Sequence, residues 1–147
     1  MRISKDRCED SITIPSDSSA VASVISKVLS ALEGLFEQDD IFAVHLALEE
    51  ALVNAINHGN KMDSQKQVVI SYSVGQDMAE ISVADQGNGF DPRHVPDPRC
   101  GENLYKAGGR GLFLIQSYMD EVDFNEKGNC IRMVKRRKKK QQTGNKN

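Results

Sequence analysis

One loop constrains this chain more than any other stretch. Asp85-Gln86-Gly87-Asn88-Gly89-Phe90-Asp91 leaves an apolar run from Ala79 to Ala84. An aspartate at the end of a buried strand can accept a hydrogen bond from an amino group while partly shielded from water. Glycines at alternate positions let the backbone bend sharply and let a flat ligand approach the main chain. Read alone, such a D-x-G-x-G stretch also describes a tight turn after a strand. Its meaning depends on what else the chain carries, and in what order.

The 147 residues suit one domain with a core that needs neither disulfides nor metals. Hydrophobic content of 39% and charged content of 27% are ordinary for a globular protein. The absence of Trp argues against a stacking platform for single-stranded nucleic acid. Charge is distributed unevenly: residues 1–131 carry 11 Lys+Arg against 21 Asp+Glu, a balance of −10, whereas residues 132–147 carry 8 Lys+Arg and no acid. Cys8, Cys100 and Cys130 are odd in number and scattered, which suits free thiols better than a disulfide frame or a zinc site. No leader-like apolar stretch and no 18-residue apolar run is present, so a soluble cytoplasmic protein without membrane contact is expected.

Taken in order, Ser11 to Ile14 reads as a short strand ending at Pro15. Ser16-Asp17-Ser18-Ser19 caps a helix whose stripe is Val21, Val24, Ile25, Val28, Leu29, Leu32 and Phe36, and Gly34 weakens its end. Gln38-Asp39-Asp40 opens a second helix from about Ile41 to Asn57, with Gly59 placed as its C-terminal cap. Its core face is Ile41, Val44, Leu48, Leu52 and Ala55, and Glu50, Asn54, Asn57 and His58 cluster opposite. Gln67 to Val74 and Met78 to Ala84 form a hairpin around Gly75-Gln76-Asp77. Residues Pro92 to Ala107 lack periodicity and read as a functional lid. A glycine-opened third helix, Gly108 through Met119, precedes a closing hairpin of Glu121 to Asn125 and Cys130 to Val134. No repeat or second domain is visible. The expected division is a domain over 1–136 and a basic, disordered tail over 137–147.

Two further boxes accompany the D-x-G-x-G loop. Glu50 and Asn54 lie four residues apart on one helical face, where a carboxylate and a carboxamide could share Mg²⁺ and its water shell. Glycines at 108, 109 and 111 precede a helix, exposing N–H groups and a positive dipole end to an anion such as phosphate. Neither the P-loop pattern G-x-x-x-x-G-K-[ST] nor G-x-G-x-x-G occurs at this box.

In this order the three boxes resemble those of the GHKL nucleotide-binding superfamily, over about residues 10–136. Within it, Leu48-Glu49-Glu50-Ala51-Leu52-Val53-Asn54-Ala55 with His58-Gly59, Gly109-Arg110-Gly111-Leu112, and Met119-Asp120-Glu121-Val122 are similar to the anti-sigma-factor serine/threonine kinases. The resemblance implies a Bergerat-type α+β two-layer sandwich, with a mixed, mainly antiparallel sheet and helices on one face. It implies ATP and Mg²⁺ as cofactors. Glu50 would be the general base, and Asn54 would hold Mg²⁺ on the triphosphate. Asp85 would read the adenine amino group, with Gly87 and Gly89 admitting the ring, and Gly108, Gly109, Arg110 and Gly111 would wrap the phosphates. The lid departs from the family's Thr-Thr-Arg-Pro-Glu-like run, reading Val95 to Asn103, so the γ-phosphate cation stays unassigned, with Arg110, Lys106 and Arg99 as candidates in that order.

The implied activity is phosphorylation of a STAS-domain anti-sigma antagonist, with a sigma factor as a second partner and a homodimer left open. A nucleotide-gated binding switch without phosphotransfer is the alternative. A histidine-kinase catalytic domain is a third reading, disfavoured because no phospho-acceptor helix precedes the boxes. The basic run Arg132 to Lys140 suits an acidic partner or a solubilising end. No DNA-reading element accompanies it.

Overall fold

The computed structural model describes residues 8–61, 63–87 and 109–137. Strands β1 (Cys8–Pro15), β2 (Gln67–Val74), β3 (Met78–Ala84), β4 (Glu121–Phe124) and β5 (Cys130–Arg136) form one sheet in the order β1-β2-β3-β5-β4. Every described pairing is antiparallel. Helices α1 (Val21–Leu32), α2 (Gln38–Val53) and α3 (Gly109–Tyr118) complete the expected α+β arrangement.

Alternation sets the layers. Val68, Ile70, Tyr72 and Val74 of β2 and Ala79, Ile81 and Val83 of β3 are buried, joining Ile131 and Met133 of β5. From the helices, Val24, Ile25, Val28 and Leu32 meet Ile41, Val44, Leu48, Leu52 and Ala55 in the same core. Strand residues one position off carry polar groups on the opposite face. There Ser71 pairs with Ser11 and Ser82, and Ser82 pairs with Arg132.

Local signals explain the element ends. Asp17 accepts from Ser19 N–H (2.9 Å) and starts the 3-10 turn, Ser18–Ala20, that leads into α1. Gly34 takes φ +86°, the left-handed region that favours glycine, so the chain reverses after α1. Phe36 lies beyond that reversal yet is buried. Gln38, Asp39 and Asp40 form the first turn of α2, with both aspartates at the positive end of its dipole. The first strand is longer than expected because Cys8 to Pro15 all pair with β2.

The basic run starts inside the sheet. Arg132 reaches Glu80 (2.9 Å), Asp123 (2.7 Å) and Glu121 (3.6 Å), and Arg136 pairs with Glu121. Lys135 Nζ donates to the Tyr118 carbonyl (2.8 Å), tying β5 to the end of α3. These cations tie β5 to its neighbouring strands and to α3, and Arg137 N–H continues the pattern by donating to the Asp77 carbonyl (2.8 Å). Residues 138–147 lie outside the described residues.

Candidate active site

The helix box continues α2 without a break but changes its winding. From Asn54 to Gly59 the chain forms a π-helical turn, and Asn60 N–H reaches the Ala55 carbonyl at 2.8 Å. Such single wide turns are rare and gather at functional sites. The 100° periodicity used to group Asn57 and His58 with Glu50 and Asn54 no longer holds past Asn54. Asn57 and His58 are exposed, while Glu50 and Asn54 are partly buried.

What partly buries them is the third box. A Cβ built on Gly111, in the first turn of α3, would stand 2.6 Å from Glu50 Oε1 and 3.0 Å from Asn54 Nδ2. The N-terminus of α3 is therefore laid directly on the acid–amide pair. The absence of a side chain at 111 makes that approach possible. Glu49 lies elsewhere: it is exposed, within 3.9 Å of His45 one turn back. Of the two neighbouring carboxylates, only Glu50 meets the glycine box.

At the other end of the site Asp85 leaves β3, its N–H donating to the Asn129 carbonyl (2.9 Å) in the β4–β5 turn. Asn125 Oδ1 organises that turn by accepting from the N–H groups of Gly128, Asn129 and Cys130. Asp85 Oδ1 accepts from Gly87 N–H at 2.7 Å. Burial raises the Asp85 carboxyl above the ordinary carboxylate range, against the lowering effects of the Gly87 N–H and of Lys127 and Lys66. Burial also pushes the Cys130 thiol up, and the Asp85 charge adds to it.

Gly59 touches this aspartate. A Cβ on Gly59 would overlap the Asp85 carboxylate, and a Cβ on Gly87 would overlap the Gly59 carbonyl. The expectation of a capping glycine at 59 is thus corrected: Gly59 is the last residue of the π-helical turn, and Asn60 holds the cap position. The φ of Gly59 is not positive, and close packing of the helix end on Asp85 is what excludes a side chain. Asn60 ends the helix box in the sequence, where no role attaches to it. It is fully buried (0% exposed), with Nδ2 donating to the Gln67 carbonyl (2.9 Å) and Oδ1 accepting from Gln86 N–H (2.7 Å). No periodic or compositional signal marks such a residue, because its partners lie 7 and 26 residues away.

The structure thus brings Glu50, Asn54 and Gly111 together, and Asp85 and Gly87 with Gly59. Gly109 and Arg110 open α3. Gly89, Gly108, Arg99, Lys106 and the lid from Pro92 to Ala107 lie outside the described residues.

The chain is similar to known proteins over most of its length. The family model of the histidine kinase-like ATPase domain matches residues 14–135. The serine-protein kinase RsbW of Staphylococcus epidermidis is 34% identical, covering 86% of this chain and 87% of that protein. The protein of the same name from Staphylococcus aureus strain MSSA476 is 32% identical over the same shares. The crystal structure of the RsbU and RsbW domains of a Mycobacterium tuberculosis protein aligns with a TM-score of 0.60 at 18% identity, a likeness of fold that covers 89% of this chain and 32% of that one. The chain belongs to the histidine kinase-like ATPase domain family, as a member of its RsbW-type serine-protein kinase branch.

Proposed function

We propose that this protein is an ATP-dependent serine/threonine protein kinase of the anti-sigma-factor type. The observation that carries the reading is the seating of Gly111 on Glu50 and Asn54. It sets a helix N-terminus, suited to phosphate, against a carboxylate suited to accept a proton. The names of the relatives, serine-protein kinase RsbW, support the same activity.

Glu50 would take the proton from the acceptor hydroxyl as that oxygen attacks. Asn54 would offer a carboxamide oxygen to Mg²⁺. Among the described residues no three His, Cys, Asp or Glu side chains gather to hold a metal ion. A Mg²⁺ here would share its shell with nucleotide oxygens and water, as this ion ordinarily does. Such an ion neutralises charge on the transferring phosphoryl group. The glycine N–H groups at 109 and 111 would cradle the phosphates, joined by Gly108 and the Arg110 cation. Asp85 would accept from the adenine amino group, with Gly87 and Gly89 leaving room for the ring. Its half-buried position supports this role, because water competes weakly for the carboxylate there.

The acceptor would come from outside, as a serine on a STAS-domain anti-sigma antagonist docked beside the lid. The −10 balance of residues 1–131 supports release after transfer. A new phosphate adds roughly −1.5 to −2 charges to the partner, and the complex should weaken. A sigma factor would then occupy the freed surface. The test incubates the chain with Mg·ATP and each STAS protein of its host, followed by phosphoserine analysis. Phosphate on a STAS serine, lost in Glu50→Gln, is the expected result. Nucleotide-dependent binding without transfer would favour a clamp instead.

A further inference from the structure

Asn60 joins three segments that the site needs in register. Its N–H closes the π turn on Ala55 (2.8 Å), Nδ2 donates to Gln67 at the start of β2 (2.9 Å), and Oδ1 accepts from Gln86 N–H (2.7 Å). Gln86 returns the tie, its Oε1 accepting from Gln67 N–H at 2.7 Å. The next residue, Lys61, is held at φ +53°, a left-handed conformation uncommon outside glycine. The chain bends there, immediately after the residue that carries the buried amide.

An amide meets both demands at once from two separate atoms, a donor for a carbonyl and an acceptor for an N–H. An aspartate would set a carboxylate against the Gln67 carbonyl. An apolar side chain would leave the partly buried Gln67 carbonyl and Gln86 N–H without this partner. Gln86 directly follows Asp85, and Gly59, packed on the Asp85 carboxylate, directly precedes Asn60. The same side chain therefore fixes the base-reading carboxylate relative to the helix end that carries Glu50 and Asn54.

We infer that Asn60 is a positioning residue for nucleobase recognition, holding Asp85 and Gly87 in place against the π-helical end of the Glu50–Asn54 helix without touching the nucleotide. The inference rests on the reading of Asp85 as the adenine acceptor. It goes beyond that reading in naming the group that sets the acceptor's position.

The test uses the full chain with Asn60→Ala, and with Asn60→Ser, a small polar side chain too short to span both partners, should the alanine variant not fold. Calorimetry measures ATP, GTP and Mg·tripolyphosphate, the last having no base. Amide hydrogen exchange of Gln86 and Gly87 is followed without ligand. ATP affinity is expected to fall on the order of tenfold and the ATP:GTP ratio to narrow, with tripolyphosphate affinity unchanged and Gln86 exchange accelerated. A folded variant that keeps the wild-type ratio and Gln86 protection overturns the inference. So does an equal loss for ATP and tripolyphosphate, which would mark a purely structural role. A wild type that does not prefer ATP to GTP overturns the Asp85 reading itself, a separate result from discrimination that survives at position 60.

Discussion

The Glu50 carboxylate fills the space in which a side chain on Gly111 would begin, with Oε1 2.6 Å from the Cβ position. The obstructing atom is the far end of a flexible side chain, so an added methyl displaces Glu50 before it displaces backbone. Alanine also favours a helix over glycine by about 0.5–1 kcal/mol. Gly111→Ala should therefore fold with an unchanged or higher melting temperature, while phosphotransfer falls on the order of 10²-fold through misplacement of the base. Thermal melting and a transfer assay on one preparation check this. Wild-type turnover would mean that Glu50 can move aside without consequence.

The neighbouring carboxylates give a cleaner contrast. Glu50 faces the glycine box, whereas Glu49 is exposed near His45. Glu50→Gln keeps the shape and should leave ATP bound while lowering the transfer rate by roughly 10²- to 10⁴-fold, the range typical of a positioned base. Glu49→Gln should transfer at close to the wild-type rate. If the two variants exchanged behaviour, the base would have to be reassigned.

Much of this arrangement was legible in the sequence because it is periodic or punctuated. The hairpin from Gln67 to Ala84 shows itself by alternation. The α2 core face, Leu48 and Leu52 included, shows itself by three-and-four spacing, and all of these residues are buried as expected. Glu50 and Asn54 were found because they share that helical period. What escaped depends on contacts between distant segments. The π turn arises where Asn60 is drawn toward Gln67 and Gln86, and nothing local to Asn54–Gly59 announces it. Gly59 drew notice for a conformational reason, whereas the true constraint is Asp85, 26 residues on. The basic run looked like a tail because its partners, Glu80, Glu121 and Asp123, adjoin it only once the sheet forms.

Asp85 should show a trade of stability for binding. Burial raises its pKa in the fold, so the folded state binds that proton more tightly than the unfolded chain does. Its favourable contribution is complete below the unfolded value of about 3.9 and is lost as pH rises through the folded value. At neutral pH the ionised carboxylate therefore opposes folding of the ligand-free protein. Asp85→Asn retains the Oδ1 acceptor for Gly87 N–H and removes the charge. The variant should melt above the wild type at pH 7, with the difference vanishing below about pH 4, while ATP binding is lost or sharply weakened. Melting curves across pH, beside calorimetric titration, decide it. A variant less stable at pH 7 than the wild type would contradict the sign.

Two glycines separate packing from backbone strain. Gly34 sits at φ +86° with nothing within 4 Å of a built Cβ, whereas Gly59 has no positive φ and would drive a Cβ into the Asp85 carboxylate, with Oδ1 at 2.7 Å. Gly34→Ala should cost about 1–2 kcal/mol through the left-handed conformation alone and leave ATP affinity unchanged, since the added methyl meets no atom within 4 Å. Gly59→Ala should cost about 1–3 kcal/mol through overpacking and also weaken ATP binding, because the side chain it displaces is the one proposed to read the base. Denaturant unfolding gives both stabilities, and titration of the folded proteins gives the affinities. Weak ATP binding in Gly34→Ala, or full affinity in Gly59→Ala, would show that the contact between Gly59 and Asp85 does not set the geometry of the nucleotide site.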